Sequence, residues 1–271
     1  MIASVHQVET LDLPPLEPYR TLKRPHEHQE KGIFIAEGDK VVRRMLESDI
    51  RILSLLLSPQ WHEQLLPLLE RHCDLIDVFV AEEHLMETIV GHRLHKCVMG
   101  LGKIPKPQTL DELLPALRHP PFLIAVDGIM NAENMGVIIR NCAGFGADAL
   151  LTSSSSCDPY LRRSVRNSMG NIFRLPIVAA PSLSSILATA KDHGIRIIAA
   201  DAHEETVEIA AASFRDPCCI VLGSEGSGIS ADVRARCDES VRIPMRDGFD
   251  SFNVACASAV LLYEVQRQRR L

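Results

Sequence analysis

The stretch VLGSEGSGIS, residues 221–230, ends an apolar run in a loop where three glycines, Gly223, Gly226 and Gly228, surround one carboxylate, Glu225. Glycine-rich loops after strands commonly hold phosphate. A carboxylate here would repel a pyrophosphate seated on backbone N–H groups, and no lysine follows the loop as a P-loop requires. The spacing G-x-x-G-x-G also departs from the dinucleotide fingerprint G-x-G-x-x-G, and it comes late in the chain, not in a first strand-to-helix turn. A nicotinamide dehydrogenase is therefore disfavoured. The glycines alone fit a plain tight turn equally well, since glycine supplies positive φ wherever one is needed, so other segments must decide what the loop holds.

Around this loop, short apolar runs alternate with helical patterns. FLIAV is followed by MGVIIRNCAGFG, ALLT by a helix near residues 160–169, and IVAA by LSSILATAKDHG; GIRIIAA, CCIVLG and VRIP continue the series before a final helix over 253–269. Continuous apolar strands alternating with helices predict a parallel sheet covered on both faces, an α/β fold. A boundary is expected in GLGKIPKPQTL, residues 100–110, where two glycines and two prolines interrupt both patterns. Before it, KGIFIAEG and ILSLLLSP read as strands, and DKVVRRMLESD and WHEQLLPLLERH as helices, giving a smaller α/β unit.

At 271 residues the chain is long enough for two domains, and its hydrophobic and charged fractions, 46% and 24%, are those of an ordinary globular protein. The N-terminal MIASVHQVETLDLPP lacks a basic start and an uninterrupted apolar core, so no secretory signal is expected and a cytoplasmic location is. Eight cysteines include no C-x-x-C pair and are read as reduced core residues, with no metal site. His26 and His28, in a polar charged stretch, are read as solvated loop residues. The net charge of −6 means that any nucleic-acid binding relies on local basic patches. RRSVR, with Arg162, Arg163 and Arg166, is one candidate, and QRQRR near the C-terminus is another, although basic residues also complement a helix dipole.

Three strand-end segments carry the candidate chemistry. In DGIMNAENMGVIIRNCAGFGAD, Asn134 has the residue type of a helix N-cap. Arg140 falls in a helix with little polar face and is expected to need an anionic partner, either a structural ion pair or a bound anion. The second segment is the Glu225 loop. The third, IPMRDGFDSFNVACASAVLLYEV, leaves a strand at Ile243 and enters a long helix capped by Ser251 or Asn253. Ligands of open α/β sheets bind outside the carboxyl ends of strands, so these loops can build one site.

In order and spacing the three segments resemble the motifs of the SpoU or TrmH family of SPOUT RNA methyltransferases. N-x-G-x-x-x-R matches Asn134, Gly136 and Arg140; G-x-E-G-x-G matches residues 223–228; I-P-M followed by S-x-N-V matches 243–245 and 251–254. Phe252 stands where leucine is usual, Ala132 and Glu133 where Asp-Pro is frequent, and Ala255 where serine is common. KGIFIAEGDKVV is similar to the family's substrate-binding domain, although His26 and Glu27 are less basic than their counterparts.

The resemblance implies an RNA substrate-binding domain over 1–107, its first ~18 residues an extension, and a methyltransferase domain over 118–271 with a deep trefoil knot, forming a homodimer. Knots are otherwise almost absent from proteins. It implies S-adenosylmethionine as cofactor, with Gly223, Ile243 and Phe252 lining its site. It also implies methyl transfer to a ribose 2′-hydroxyl of ribosomal or transfer RNA, with Arg140 central and Asn134, Glu225, Ser251 and Asn253 supporting it. A sulfonium carries no phosphate, so a nearby Glu225 incurs no repulsion. Base-directed methylation and a non-catalytic RNA-binding module are the alternatives.

Overall fold

The computed structural model describes residues 2–72, 75–90, 97–201, 206–246 and 251–270. It divides into two compact units, Met1–Lys106 with Tyr160–Phe173, and Pro107–Pro159 with Arg174–Leu271.

In the first unit a five-stranded sheet runs in the order β1-β4-β3-β5-β2, made of β1 (Ile2–Val8), β2 (Ile33–Glu37), β3 (Ile52–Leu57), β4 (Ile76–Ala81) and β5 (Val98–Lys103). β1, β4 and β3 are parallel, while β5 pairs antiparallel with β3 and β2. Its connections carry α1 (Glu17–Arg20), α2 (Pro25–Glu30), α3 (Asp39–Leu46), α4 (Pro59–Arg71) and α5 (Glu83–Val90). Helix α3 buries Val41, Val42, Met45 and Leu46, the face that the helical spacing of DKVVRRML dictates.

Several sequence expectations are corrected in this unit. The first residues are no extension: β1 pairs with β4 from Ile2↔Ile76 to Val8↔Ala81, covering an edge whose backbone groups would otherwise lack partners. Leu16 and Tyr19 are completely buried, the tyrosine hydroxyl 2.9 Å from Ser54 Oγ. Gly100 and Gly102 belong to strand β5 and not to a linker. A Cβ at residue 102 would lie 2.6 Å from the Phe34 ring, so these glycines make room for side chains over the sheet. His28 is buried in α2, its Nε2 3.0 Å from Thr21 Oγ1, and burial pushes its imidazole pKa down.

The second unit begins with the short helix α6 (Leu110–Leu113), capped by Thr109 in a capping box with Glu112. Then follow β6 (Phe122–Val126), α7 (Ala132–Phe145), β7 (Ala149–Ser153), α8 (Arg162–Asn167), β8 (Ile177–Ala180), α9 (Leu183–Asp192), β9 (Arg196–Ala200), β10 (Val207–Glu208), β11 (Cys218–Leu222), α10 (Ala231–Arg234), β12 (Glu239–Arg242) and α11 (Val254–Arg269). All seven strands are parallel, in the order β10-β12-β9-β11-β6-β7-β8. The five residues of CCIVL are buried because β11 is paired on both edges, with β9 and β6. Among the seven described cysteines with free thiols, Cys256 is the exposed exception to a core reading, and Cys73 lies outside the described residues.

Helix α8 and its flanks, Tyr160–Phe173, belong to the first unit although the sequence places them in the second half. The candidate basic patch explains why. Arg162 and Arg166 both pair with the carboxylate of Glu37 at the end of β2, the second contact at 3.2 Å, while Tyr160 and Phe173 lie against the Phe34 ring. Glu37 is almost fully buried, and a buried carboxylate is retained only with partners such as these. Two of the three arginines of RRSVR are therefore engaged within the protein.

Candidate active site

Strands β6 and β11 are neighbours, yet the chain leaves β6 toward β7 on one side and leaves β11 toward β12 on the other. That reversal opens a crevice outside their carboxyl ends, where open α/β sheets place their ligands. The loops after β6, β11 and β12 carry the three motif segments.

Asn253 is the N-cap of α11, and its side-chain oxygen accepts from the backbone N–H groups of Ala255 at 3.0 Å and Cys256 at 3.4 Å. Capping fixes which way its amide faces. The remaining Nδ2 donates to Asn134 Oδ1 at 3.2 Å and to Glu225 Oε1. One side chain thus joins all three segments and orients a carboxylate at the crevice. Asn134 itself is not a cap: Asn131 takes that place, accepting from Glu133 and Asn134 N–H, and Asn134 sits in the first turn with its side chain free to meet Asn253. Helices α7 and α11 are further tied by Asn141 Nδ2, which donates to Ala255 O at 2.9 Å and Ser258 Oγ at 2.8 Å.

Arg140 is corrected as well. It is exposed, because α7 turns Met135, Ile138, Ile139 and Cys142 into the core and leaves residue 140 on the outer face. Six residues beyond Asn134, it is about 9 Å farther along the helix and about 120° around it. No hydrogen bond or ion pair to another described residue engages its guanidinium, so a structural ion pair does not account for it.

The glycine loop is a closed turn. Ser224 and Gly228 exchange two backbone hydrogen bonds of 3.0 Å, and Ser224 Oγ accepts from Ser227 N at 3.1 Å. Below it, the buried carboxylate of Asp127 accepts from Ser230 N and Ser230 Oγ, both at 2.7 Å, and from Ser155 Oγ at 3.2 Å. The serine tract 153–156 is thereby part of the loop's foundation. Sequence reading passed over Asp127; its signal was an acid directly after the apolar strand FLIAV.

Under the loop lies a cavity of about 350 Å³, within the range of small-molecule sites. Gly223, Glu225, Ile243, Ser251 and Phe252 line it, with an apolar floor of Leu222, Val241 and Leu261; Asn134, Arg140 and Asn253 lie outside its lining. Among the described residues the charged side chains in its wall are Asp201, Glu225 and Arg234, and Asp201 is ion-paired with Arg234. Two carboxylates against one guanidinium repel a pyrophosphate and suit a ligand bearing positive charge. Asp201, another acid directly after an apolar strand, was also missed. Residues 247–250 of the third segment lie outside the described residues. Among the described residues no cluster of His, Cys, Asp or Glu could hold a metal ion.

Comparison with known proteins agrees with this architecture. An rRNA methyltransferase from Sinorhizobium meliloti, solved with AdoMet bound, superimposes with a TM-score of 0.83 at 25% identity, over 97% of this chain and 98% of that one. The SpoU methyltransferase AviRb from Streptomyces viridochromogenes gives 0.80 at 26% identity, over 94% and 96% of the two chains. An RNA 2′-O ribose methyltransferase gives 0.78 at 26%, over 99% and 100%. In sequence, an uncharacterized tRNA/rRNA methyltransferase of Mycobacterium tuberculosis is 33% identical over 94% of this chain and 90% of its own length. The model of the SpoU rRNA Methylase family matches residues 121–263. With its three motifs meeting at Asn253 above that cavity, the chain belongs to the SpoU rRNA methylase family.

Proposed function

We propose that this RNA methyltransferase transfers a methyl group from S-adenosylmethionine to a ribose 2′-hydroxyl, with ribosomal RNA as its substrate. The observation that carries the cofactor is the cavity, whose wall, among the described residues, holds two carboxylates to one guanidinium and no lysine. Gly223, Ile243 and Phe252 hold the cofactor in this reading, the first two through main-chain groups. When bound, S-adenosylmethionine supplies a methyl group on a cationic sulfur that is already a good leaving group. The protein must orient the acceptor hydroxyl and lower the energy of the alkoxide that forms as its proton departs. Arg140, always charged and poorly suited to act as a base by itself, holds an RNA phosphate and stabilises that developing charge. Asn134, Glu225, Ser251 and Asn253 position the ribose and the loops.

The ribose assignment rests on the S-x-N-V motif and on the likeness to a ribose-directed methyltransferase. Incubation with ribosomal RNA and isotopically labelled cofactor, followed by nuclease digestion and mass spectrometry, is expected to yield a labelled 2′-O-methylnucleoside. A methylated base supports the base-directed reading instead, and modification of transfer RNA alone changes the substrate. Binding of RNA without methylation supports a non-catalytic module. Calorimetry is expected to show binding of S-adenosylmethionine and its demethylated product but not NAD; tight NAD binding with no response to either sulfur compound overturns the cofactor.

Residues 1–107 are assigned to RNA binding, supported by α3, which carries Lys40 and Arg43, the Arg43 guanidinium lying 5.9 Å over the Trp61 ring. The C-terminal half is assigned the trefoil knot. In support, β11 enters between β9 and β6, and β12 between β9 and β10, after those neighbours are laid down. A two-fold homodimer is also proposed, supported by exposed Val260 and Tyr263 on α11. Sedimentation equilibrium is expected to return twice the chain mass at micromolar concentration, and a monomer contradicts it. No described helix is long and apolar enough to cross a membrane; location in the cytoplasm is part of the proposal.

A further inference from the structure

At the opposite end of the sheet, where β6 begins at Phe122 and β11 at Cys218, lies a second cavity of about 620 Å³. Among the described residues, Arg118, Arg215, Arg269 and Arg270 line it against one carboxylate, Asp148. These arginines come from three separate stretches of the chain, and in a protein of net charge −6 their convergence makes a local positive field. The carboxylate is already engaged: Arg118 Nε donates to it at 2.9 Å, and Phe122 N donates at 2.8 Å.

The four guanidinium groups divide by role. Arg269 donates to the backbone oxygens of Pro120, Phe214 and Asp216 at 2.7–2.8 Å and lies 5.3 Å over the Phe122 ring. Arg118 also caps Gly146 O at 2.7 Å. These two cancel the carbonyl oxygens that would otherwise repel an anion at this end of the sheet. Arg215 and Arg270 are exposed, and no hydrogen bond or ion pair to another described residue engages either guanidinium. The rings of Phe122 and Phe145 form part of the wall.

We infer that this cavity is a second RNA contact, in which Arg215 and Arg270 hold phosphodiester groups away from the methyl-transfer site; the inference rests on RNA being the substrate. The two ends of the sheet are separated by the length of β6, five residues or about 16 Å. One turn of duplex spans about 34 Å, so a folded RNA can reach both ends. The site adds affinity without reading sequence, as phosphate contacts do.

The test uses the full chain with Arg215→Ala and Arg270→Ala combined, leaving Arg269 and Arg118 in place because they bond the backbone. Affinity for ribosomal RNA is expected to fall about tenfold near 0.1 M salt, and the slope of log affinity against log salt to shrink by about 1.5, as loss of two phosphate contacts requires. Lysines at both positions are expected to restore the slope. Melting temperature and S-adenosylmethionine affinity are expected to stay unchanged. RNA affinity and slope equal to those of the unaltered protein, which still methylates RNA, overturn the inference alone. An unaltered protein that neither binds nor methylates RNA overturns the functional reading together with it. Bound RNA is expected to be displaced by polyuridylate and not by inorganic phosphate at equal phosphate concentration; displacement by inorganic phosphate would assign the cavity to a free anion and overturn the RNA contact.

Discussion

Replacement of Arg140 by lysine is expected to reduce methyl transfer almost as severely as replacement by alanine, on the order of 100-fold to 1,000-fold, or about 3 to 4 kcal/mol in the barrier. An ammonium carries the same charge but lacks the planar fork that grips a phosphate through two parallel bonds. The structure separates this role from a structural one. Removing one partner of a buried ion pair would destabilise the fold by about 3 to 5 kcal/mol. Arg140 is exposed on the outer face of α7, where substitutions typically change stability by less than about 0.5 kcal/mol. Both variants are therefore expected to keep their melting temperature. They are also expected to keep cofactor affinity, because Arg140 does not line the cavity beneath the glycine loop. Single-turnover methyl transfer, thermal unfolding and calorimetry on the two variants decide the matter. A fully active lysine variant, or an alanine variant that fails to fold, removes Arg140 from the chemistry.

The sequence made the second unit far more legible than the first, for a physical reason. Strands such as FLIAV and CCIVL are parallel and covered on both faces, so they read as uninterrupted apolar runs bounded by loops. The candidate residues were legible because strand-end loops must offer polar groups at a switch point, and Asn134, Glu225 and Asn253 do meet there. What misled was local context. Gly100 and Gly102 look like linker residues until Phe34 and Met45 are seen packed over them. β1, with His6 and Gln7 in its midst, gives no apolar signal, because it is an edge strand with one neighbour. Arg140 looked buried among VII and NCAGF because a run of apolar letters hides which of them face outward on a helix. Most opaque were the long-range pairings, such as Glu37 with Arg162 and Arg166, which no spacing rule can reveal.

Replacement of Gly223 by alanine is expected to abolish tight cofactor binding, and its neighbours in the loop supply the controls. A Cβ at residue 223 would overlap the carbonyl carbon of Gly228 and stand 2.6 Å from its oxygen and 2.6 Å from Ile229 N. These are backbone atoms, so no side chain can swing aside. Relief requires the loop to open, which breaks the paired Ser224–Gly228 hydrogen bonds and pulls on Ser230, anchored to buried Asp127. Overpacking of this kind costs about 1 to 3 kcal/mol of stability. Cofactor affinity is expected to fall more than tenfold, because residues 222–229 form one continuous side of the cavity. At Gly228 the obstacle is conformational: its φ of +67° is strained for alanine by about 1 kcal/mol, while a Cβ there meets nothing within 4 Å. Gly226 has neither obstacle, so alanine there is expected to be neutral. The order of loss should therefore run from residue 223 through 228 to 226, in calorimetric affinity and in melting temperature alike. Equal losses at 223 and 226 would mean that loop flexibility, and not close backbone approach, is what the glycines provide.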